Sequence, residues 1–188
     1  IEPEQRKWRR TAEIASELMS RQDNDGRPDR DGAIRALESF HQHLRSVTVR
    51  DPSCGSGNLL IVAYNALKDL EDEVIAALHS LGINKYHYYQ NASLIGIDQF
   101  SGVEIAPHAA AIADLVMNIG QLQRHFRIHG KIIPKQPILG TSDKKHIEIA
   151  DAVLAYDYID EKTKQYINPR AATVWTPATY YLFNPPYI

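Results

Sequence analysis

The sequence has a single cysteine, Cys54, in 188 residues. No internal disulfide can form, and a reducing cytoplasm is the compartment such usage suits. No apolar run approaches the roughly 18–20 residues of a membrane-spanning helix, and no charged-then-apolar leader opens the chain. The first residue is Ile1 rather than methionine, so the chain is expected to be cut from a longer one. Basic excess is also missing: 21 Lys and Arg stand against 23 Asp and Glu, for a net charge of −2. A self-sufficient nucleic-acid-binding domain ordinarily shows a basic face, so any main gripping surface for nucleic acid is expected to lie elsewhere. Neither GxGxxG nor a Gly-Lys-Ser/Thr loop is present, which disfavours a dinucleotide fingerprint and a phosphate loop. There is no internal repeat and no low-complexity tract. What remains is 44% hydrophobic and 23% charged residues, ordinary for a globular domain with one sizeable core.

The first 46 residues predict a helical segment. Ile14, Ala15, Leu18 and Met19 recur at helical spacing within residues 3–20, and Ala33, Leu37, Phe40 and Leu44 do so within 32–45. The polar stretch from Asp23 to Gly32 superficially resembles a calcium loop. Its fifth position is Arg27 and its closing position is Ile34 where a Glu is needed, so calcium is rejected. Arg6, Lys7, Arg9 and Arg10 around Trp8 read as a solvated helix face rather than a phosphate contact.

From Val47 the pattern changes. Val47-Thr48-Val49 predicts a short strand ended by Asp51-Pro52 and a glycine turn, followed by a helix from about Asn58 to Leu78. Phe100 to Ile105 predicts a second strand, with Pro107 in the first turn of a helix over 108–123. Residues 130–142 read as loop. His146 to Ala150 predicts a third strand ending at Asp151, and Tyr180 to Phe183 a fourth, joined through a short helix or loop. Strands alternating with helices predict an α/β fold, a Rossmann-like parallel sheet with flanking helices. Ligands in such folds sit at the carboxyl ends of the strands. Residues 47–188 are therefore expected to form the N-terminal part of a catalytic domain, truncated at its C-terminus.

Each strand end carries chemistry. In Asp51-Pro52-Ser53-Cys54-Gly55-Ser56-Gly57-Asn58, the glycines let the backbone turn tightly and approach a ligand. The helix that follows offers unpaired N–H groups. Asp51 places a carboxylate at the mouth, which suits a cationic amino group better than a pyrophosphate. Glu104 stands where ribose hydroxyls are held in folds of this kind, although any solvated Glu can end a strand. Asp151-Ala152 could receive an adenine amine or simply cap a turn.

The most specific signal is Asn184-Pro185-Pro186-Tyr187; by chance such a string would occur in fewer than about one chain in a thousand of this length. An exocyclic amine on a nucleobase is a poor nucleophile, because its lone pair is delocalised into the ring. Two acceptors aimed at its N–H bonds hold it and favour the tetrahedral nitrogen of the transition state. The Asn184 side-chain carbonyl and the Pro185 backbone carbonyl are those acceptors. The prolines fix local φ and remove competing donors. Tyr187 can stack on a base rotated out of the duplex.

Together these residues resemble the class I S-adenosylmethionine-dependent DNA amino-methyltransferases. DPSCGSGNLL is similar to that family's first motif, Glu104 with Ile105 to its second, Asp151 with Ala152 to its third, and NPPY to its fourth, in the gamma order. The run from Leu37 to Val74, QFSGVEIAPHAAAIADLVM, IADAVLAYDY and FNPPYI are similar to large single-chain restriction–modification enzymes. The resemblance covers roughly residues 37–188, with a poorly matched stretch at 124–145. It implies S-adenosylmethionine as methyl donor, with Asp51, Pro52, Ser53, Cys54, Gly55, Gly57 and Asn58 around its methionine part, Glu104 on the ribose and Asp151 near the adenine. It implies double-stranded DNA with a flipped adenine as substrate, direct transfer from sulfonium to amine without a metal, and no membrane. The family's N-terminal cofactor motif, often a Thr-Pro pair, has no counterpart in residues 1–36.

Two other classes fit less well. An RNA or protein-glutamine methyltransferase can share NPPY, because a side-chain amide poses the same chemical problem, but DPSCGSGN is less typical of those. A non-catalytic cofactor- or nucleic-acid-binding module would not need Asn184 and Tyr187. Cys54 is not the nucleophile of a carbon-5 cytosine methylase, which uses a Pro-Cys pair at the fourth strand. His125 and His129 could share a helix face, but no third metal ligand is evident. Tyr86-His87-Tyr88-Tyr89 reads as core or loop packing rather than a base-stacking platform. The isolated chain, lacking the rest of the sheet, is expected to be inactive.

Overall fold

The computed structural model describes residues 1–21, 27–84, 94–129, 146–172 and 175–184. Residues 23–26 of the calcium-like turn, the Tyr86–Tyr89 run, the 130–142 loop and the last three residues of NPPY lie outside them, as does the side chain of His129. The chain divides into two compact units, residues 1–47 with 63–96, and residues 48–62 with 97–188. No helix among the described residues is long and apolar enough to cross a membrane.

The first unit is helical. Helix α1 (Glu2–Ser20) opens with a proline and two acidic residues in its first turn, which suit its unpaired N–H groups. Helix α2 (Arg30–Ser46) is capped by the Asp29 carboxylate, which accepts from Gly32 N at 2.8 Å. Residues 63–80 of helix α3 (Asn58–Ser80) complete the unit. The face predicted from spacing is the buried one: Ala33, Leu37, Phe40 and Leu44 lie in the core with Tyr64, Leu67, Val74, Ile75 and Leu78. Two residues of the N-terminal basic run are paired with acids, and its tryptophan is held by a third. Arg6 reaches Glu2 at 3.8 Å, Lys7 reaches the buried Glu4 at 3.1 Å, and the Trp8 indole donates to Glu73.

One polar knot interrupts this core. The fully buried Glu71 carboxylate is met by His41 Nε2 at 2.8 Å, by the Lys68 ammonium and by Ile95 N at 2.8 Å. Burial opposes its charge, but the His41 bond, the Lys68 charge and the Ile95 amide together hold the carboxyl below its ordinary range.

The second unit is an α/β sheet. Strands β1 (Val49–Asp51), β2 (Phe100–Glu104), β3 (Ile147–Ile149) and β8 (Tyr180–Tyr181) stand in the order β3-β2-β1-β8, and every pairing is parallel. Helix α4 (Pro107–His129) crosses from β2 to β3. Val49, Phe100, Val103, Ala110, Ala113, Met117 and Ile147 are buried around it. The chain order reverses direction at β1, which leaves a switch point between β1 and β8, the place where open α/β sheets bind ligands.

The ends of several elements shift from the sequence expectation, and three differences matter most. Strand β1 is Val49–Asp51 rather than Val47–Val49. Arg50 belongs to it because its terminal guanidinium nitrogens find Ser101 at 3.0 Å and Glu148 at 3.1 Å across the sheet. Helix α4 continues to His129, six residues past the expected end, since nothing between Gln121 and His129 breaks a helix. Between β3 and β8 the described residues form neither helix nor plain loop. It folds into antiparallel pairs, β4 (Leu154–Ala155) with β7 (Arg170–Ala171) and β5 (Tyr158–Ile159) with β6 (Tyr166–Ile167).

Candidate active site

Parallel strands bring their carboxyl ends to one edge of the sheet, so Asp51, Glu104, Asp151 and Asn184 all emerge there. The first two are joined in a single hydrogen-bonded loop. Asp51 is 1% exposed, and its Oδ1 accepts from Ser53 N at 3.0 Å. The backbone then turns through Gly55 at φ +54° and Gly57 at φ +81°, values that L side chains rarely adopt. The two glycines serve different ends. A Cβ on Gly57 would lie 3.1 Å from Ala113 Cα, so that glycine lets α4 approach the turn. A Cβ on Gly55 would meet nothing within 4 Å, so that glycine faces open space. Glu104 locks the loop: its Oε2 accepts from Gly55 N and its Oε1 from Ala106 N, each at 2.9 Å.

Cys54 is the buried pivot of this turn. Its N–H donates to Val103 O at 3.0 Å, and its side chain lies over Gly102, where a Cβ would come 2.6 Å from Sγ. Burial, then the charges of Asp51 and Glu104, push its thiol up to about 12. It is a small packing residue and not a nucleophile. Burial also raises the Asp51 carboxyl; the Ser53 amide opposes the shift and the Glu104 charge adds to it. Both shifts record burial first, with the neighbouring carboxylates adding to it.

At the third end, Asp151 Oδ1 accepts from Val153 N at 2.8 Å and Leu154 N at 3.0 Å, so it caps a turn. Both bonds fall on Oδ1, and an incoming amine would be received at Oδ2. At the fourth end, Leu182 N donates to Arg50 O at 2.8 Å, which carries the pairing with β1 beyond β8 and leaves Asn184 exposed at the site edge. Pro52 is buried, Asn58 begins α3, and Ile105 projects apolar surface that is 59% exposed. Pro185, Pro186 and Tyr187 lie outside the described residues.

A donor bearing an ammonium, a ribose and an adenine needs a carboxylate for each polar part and room beside the backbone. Asp51, Glu104 and Asp151 supply the acceptors, and Gly55 leaves the room. The Ser53 hydroxyl is buried and has no hydrogen-bond partner among the described residues, which leaves a polar group for a ligand to satisfy. The residues present fit such a group.

Sequence reasoning missed two residues here. Gly102 sits in a buried strand, a usual mark of close approach, and that signal could have revealed its contact with Cys54. Trp175, whose indole donates to Ala152 O at 2.6 Å, gave no local signal.

Comparison with known proteins agrees with this fold. Among solved structures, the chain is similar to the type IIL restriction–modification enzyme MmeI in complex with DNA, with a TM-score of 0.51 and 28% identity, covering 75% of this chain and 18% of that one. It is 31% identical over 121 residues to DNA methyltransferase A of Bacillus subtilis (strain 168), covering 62% of this chain and 13% of that protein. The chain thus spans less than a fifth of the length of either relative. The family model for the MmeI DNA-methyltransferase domain matches residues 23–188, from the turn before α2 through all four strand ends. The chain therefore belongs to the MmeI DNA-methyltransferase domain family.

Proposed function

We propose that this chain forms the donor-binding and amine-binding part of a DNA adenine methyltransferase that uses S-adenosylmethionine within a restriction–modification system. The observation that carries the reading is the delivery of three carboxylates and one amide to the same edge of four adjacent parallel strands. Strands β3 and β8 stand three spacings apart, about 14 Å, a span suited to an extended nucleoside–amino-acid conjugate. When bound, the donor supplies a methyl group on a cationic sulfur.

The chain's residues hold and orient. Asp51 receives the donor's ammonium beside the glycine turn. Glu104 faces the ribose while it fixes the loop, and Ile105 offers its apolar surface to the adenine ring. Asp151 and Ala152 form the adenine end. Asn184 accepts one N–H of the target amine, and the sequence supplies the Pro185 carbonyl for the other and the Tyr187 ring for stacking. Drawing both protons toward acceptors pyramidalises the nitrogen and aims its lone pair, so the gain falls on the transition state. No covalent bond to the enzyme is required.

The test is methylation by the whole protein. Tritiated methyl transfer onto DNA, followed by nucleoside analysis, should give N6-methyladenine. Asn184→Ala should abolish transfer while S-adenosylhomocysteine binds within about threefold of wild type, since the donor pocket is untouched. Methylation that persists in this variant would remove the amine-clamp role, and label in RNA or protein alone would move the activity to another substrate. The chain by itself should transfer no methyl group to duplex DNA.

A further inference from the structure

We propose that Trp175 is a positioning residue for the adenine end of the donor pocket: its indole holds the Ala152–Val153 peptide in the orientation that presents Asp151 to a nucleobase amine. This inference rests on the reading of Asp151 given under the proposed function.

The peptide is fixed at both ends. Trp175 Nε1 donates to Ala152 O at 2.6 Å, while Val153 N donates to Asp151 Oδ1 at 2.8 Å. The next carbonyl, Val153 O, accepts from Ala172 N at 3.1 Å. A peptide held at its oxygen and its nitrogen cannot rotate, so the direction of the Asp151 carboxylate is set by the indole on one side and by its own turn on the other.

The indole is itself held. Its ring lies 5.6 Å from Tyr181 and 5.7 Å from Phe183, the latter nearly parallel at 27°. Tyr181 Oη donates to Thr176 O at 2.6 Å, which ties the backbone beside Trp175 to β8. Trp175 is nonetheless 43% exposed. A tryptophan kept for core burial alone would be covered and would not need its N–H directed at one carbonyl of a turn. Phe183 immediately precedes Asn184, so one side chain links the turn after β3 to the approach to the amine-binding amide.

The test uses the whole protein and equilibrium binding by titration calorimetry. The probes are S-adenosylhomocysteine and S-inosylhomocysteine, in which a carbonyl oxygen replaces the adenine amine. Wild type should prefer the adenosyl compound by roughly tenfold or more. Trp175→Phe keeps an aromatic ring against Phe183 and removes only the donor. It should weaken the adenosyl compound about fivefold, the value of one ordinary hydrogen bond, and leave the inosyl compound nearly unchanged. That collapse of the ratio is something a general loss of stability cannot produce. An unchanged ratio in Trp175→Phe overturns the proposal. Trp175→Ala removes the ring as well and should also lower kcat at saturating donor, whereas Trp175→Phe should not; equal kcat in the two variants overturns the link to Asn184. A wild-type protein that binds neither compound overturns the proposed function itself, and this inference with it.

Discussion

Asp51→Asn should make the protein more stable and less able to bind its donor. The replacement has the same shape, and its side-chain oxygen can still accept from Ser53 N, now at 3.0 Å. What it removes is a charge that is 1% exposed and close to Glu104. The folded-state pKa of Asp51 lies above its ordinary 3.8, chiefly through burial. Ionisation is therefore harder in the folded than in the unfolded chain. Stability falls as pH rises through 3.8 toward the folded value, and it stays reduced above that. At neutral pH the Asn variant should gain on the order of 1 kcal/mol, the usual return from relieving a strained functional site. Below pH 3.8, where the carboxyl is protonated in both states, the difference should vanish. Binding should move the other way. One charge-assisted hydrogen bond to an ammonium is worth about 1.5–3 kcal/mol, so affinity for S-adenosylhomocysteine should drop about 10- to 100-fold. Thermal midpoints at pH 7 and calorimetric titration read the two effects separately. A variant that melts lower and binds as tightly as wild type would refute the reasoning on both counts.

Other positions give equally specific outcomes. Gly57→Ala combines φ +81° with a 3.1 Å contact to Ala113 Cα and should destabilise by about 2–3 kcal/mol. Gly55→Ala carries φ +54° into open space and should cost about 1 kcal/mol; denaturation midpoints in the reverse order would contradict the packing account. Glu71→Gln leaves the buried Lys68 ammonium without its counter-charge and should cost about 3–5 kcal/mol at pH 7. Because the folded Glu71 pKa is depressed, its contribution is full above 4.5 and is lost as pH falls through the folded value, so the two proteins should converge in acid. Cys54, 6% exposed and with its thiol pushed up to about 12, should resist alkylation at pH 8 in the folded protein. Rapid labelling by iodoacetamide, measured by intact mass, would mean that the glycine loop opens.

The site was more legible in the sequence than the frame around it. Asp51, the glycine turn, Glu104 and Asp151 could be read because each follows a short β-branched or aromatic run and must stand at a strand end. Even there one boundary slipped. A charged residue such as Arg50 gives no strand signal of its own, and Ser101 and Glu148, which arrive from the neighbouring strands, receive it inside the sheet. The β4–β7 and β5–β6 pairs left no periodicity, because ladders two residues long cannot show one. The role of Glu104 as a clasp was hidden for a related reason. Its partners Gly55 and Ala106 are amides, and every residue except proline has one. Trp175 is the extreme case, since the carbonyl it meets lies 23 residues away across the hairpin.

The double engagement of Glu104 gives that position an unusual tolerance rule. Glutamine offers one carbonyl oxygen and could satisfy either Gly55 N or Ala106 N, but its other end would present a donor to a donor. Aspartate is one methylene shorter and would withdraw both oxygens from the amides they now meet. Neither conservative change is conservative here. If Glu104 also holds a ribose, as proposed, the shape of the glycine loop and the hold on the donor rest on one side chain, so a lineage that gave up the donor would be expected to lose the loop along with it.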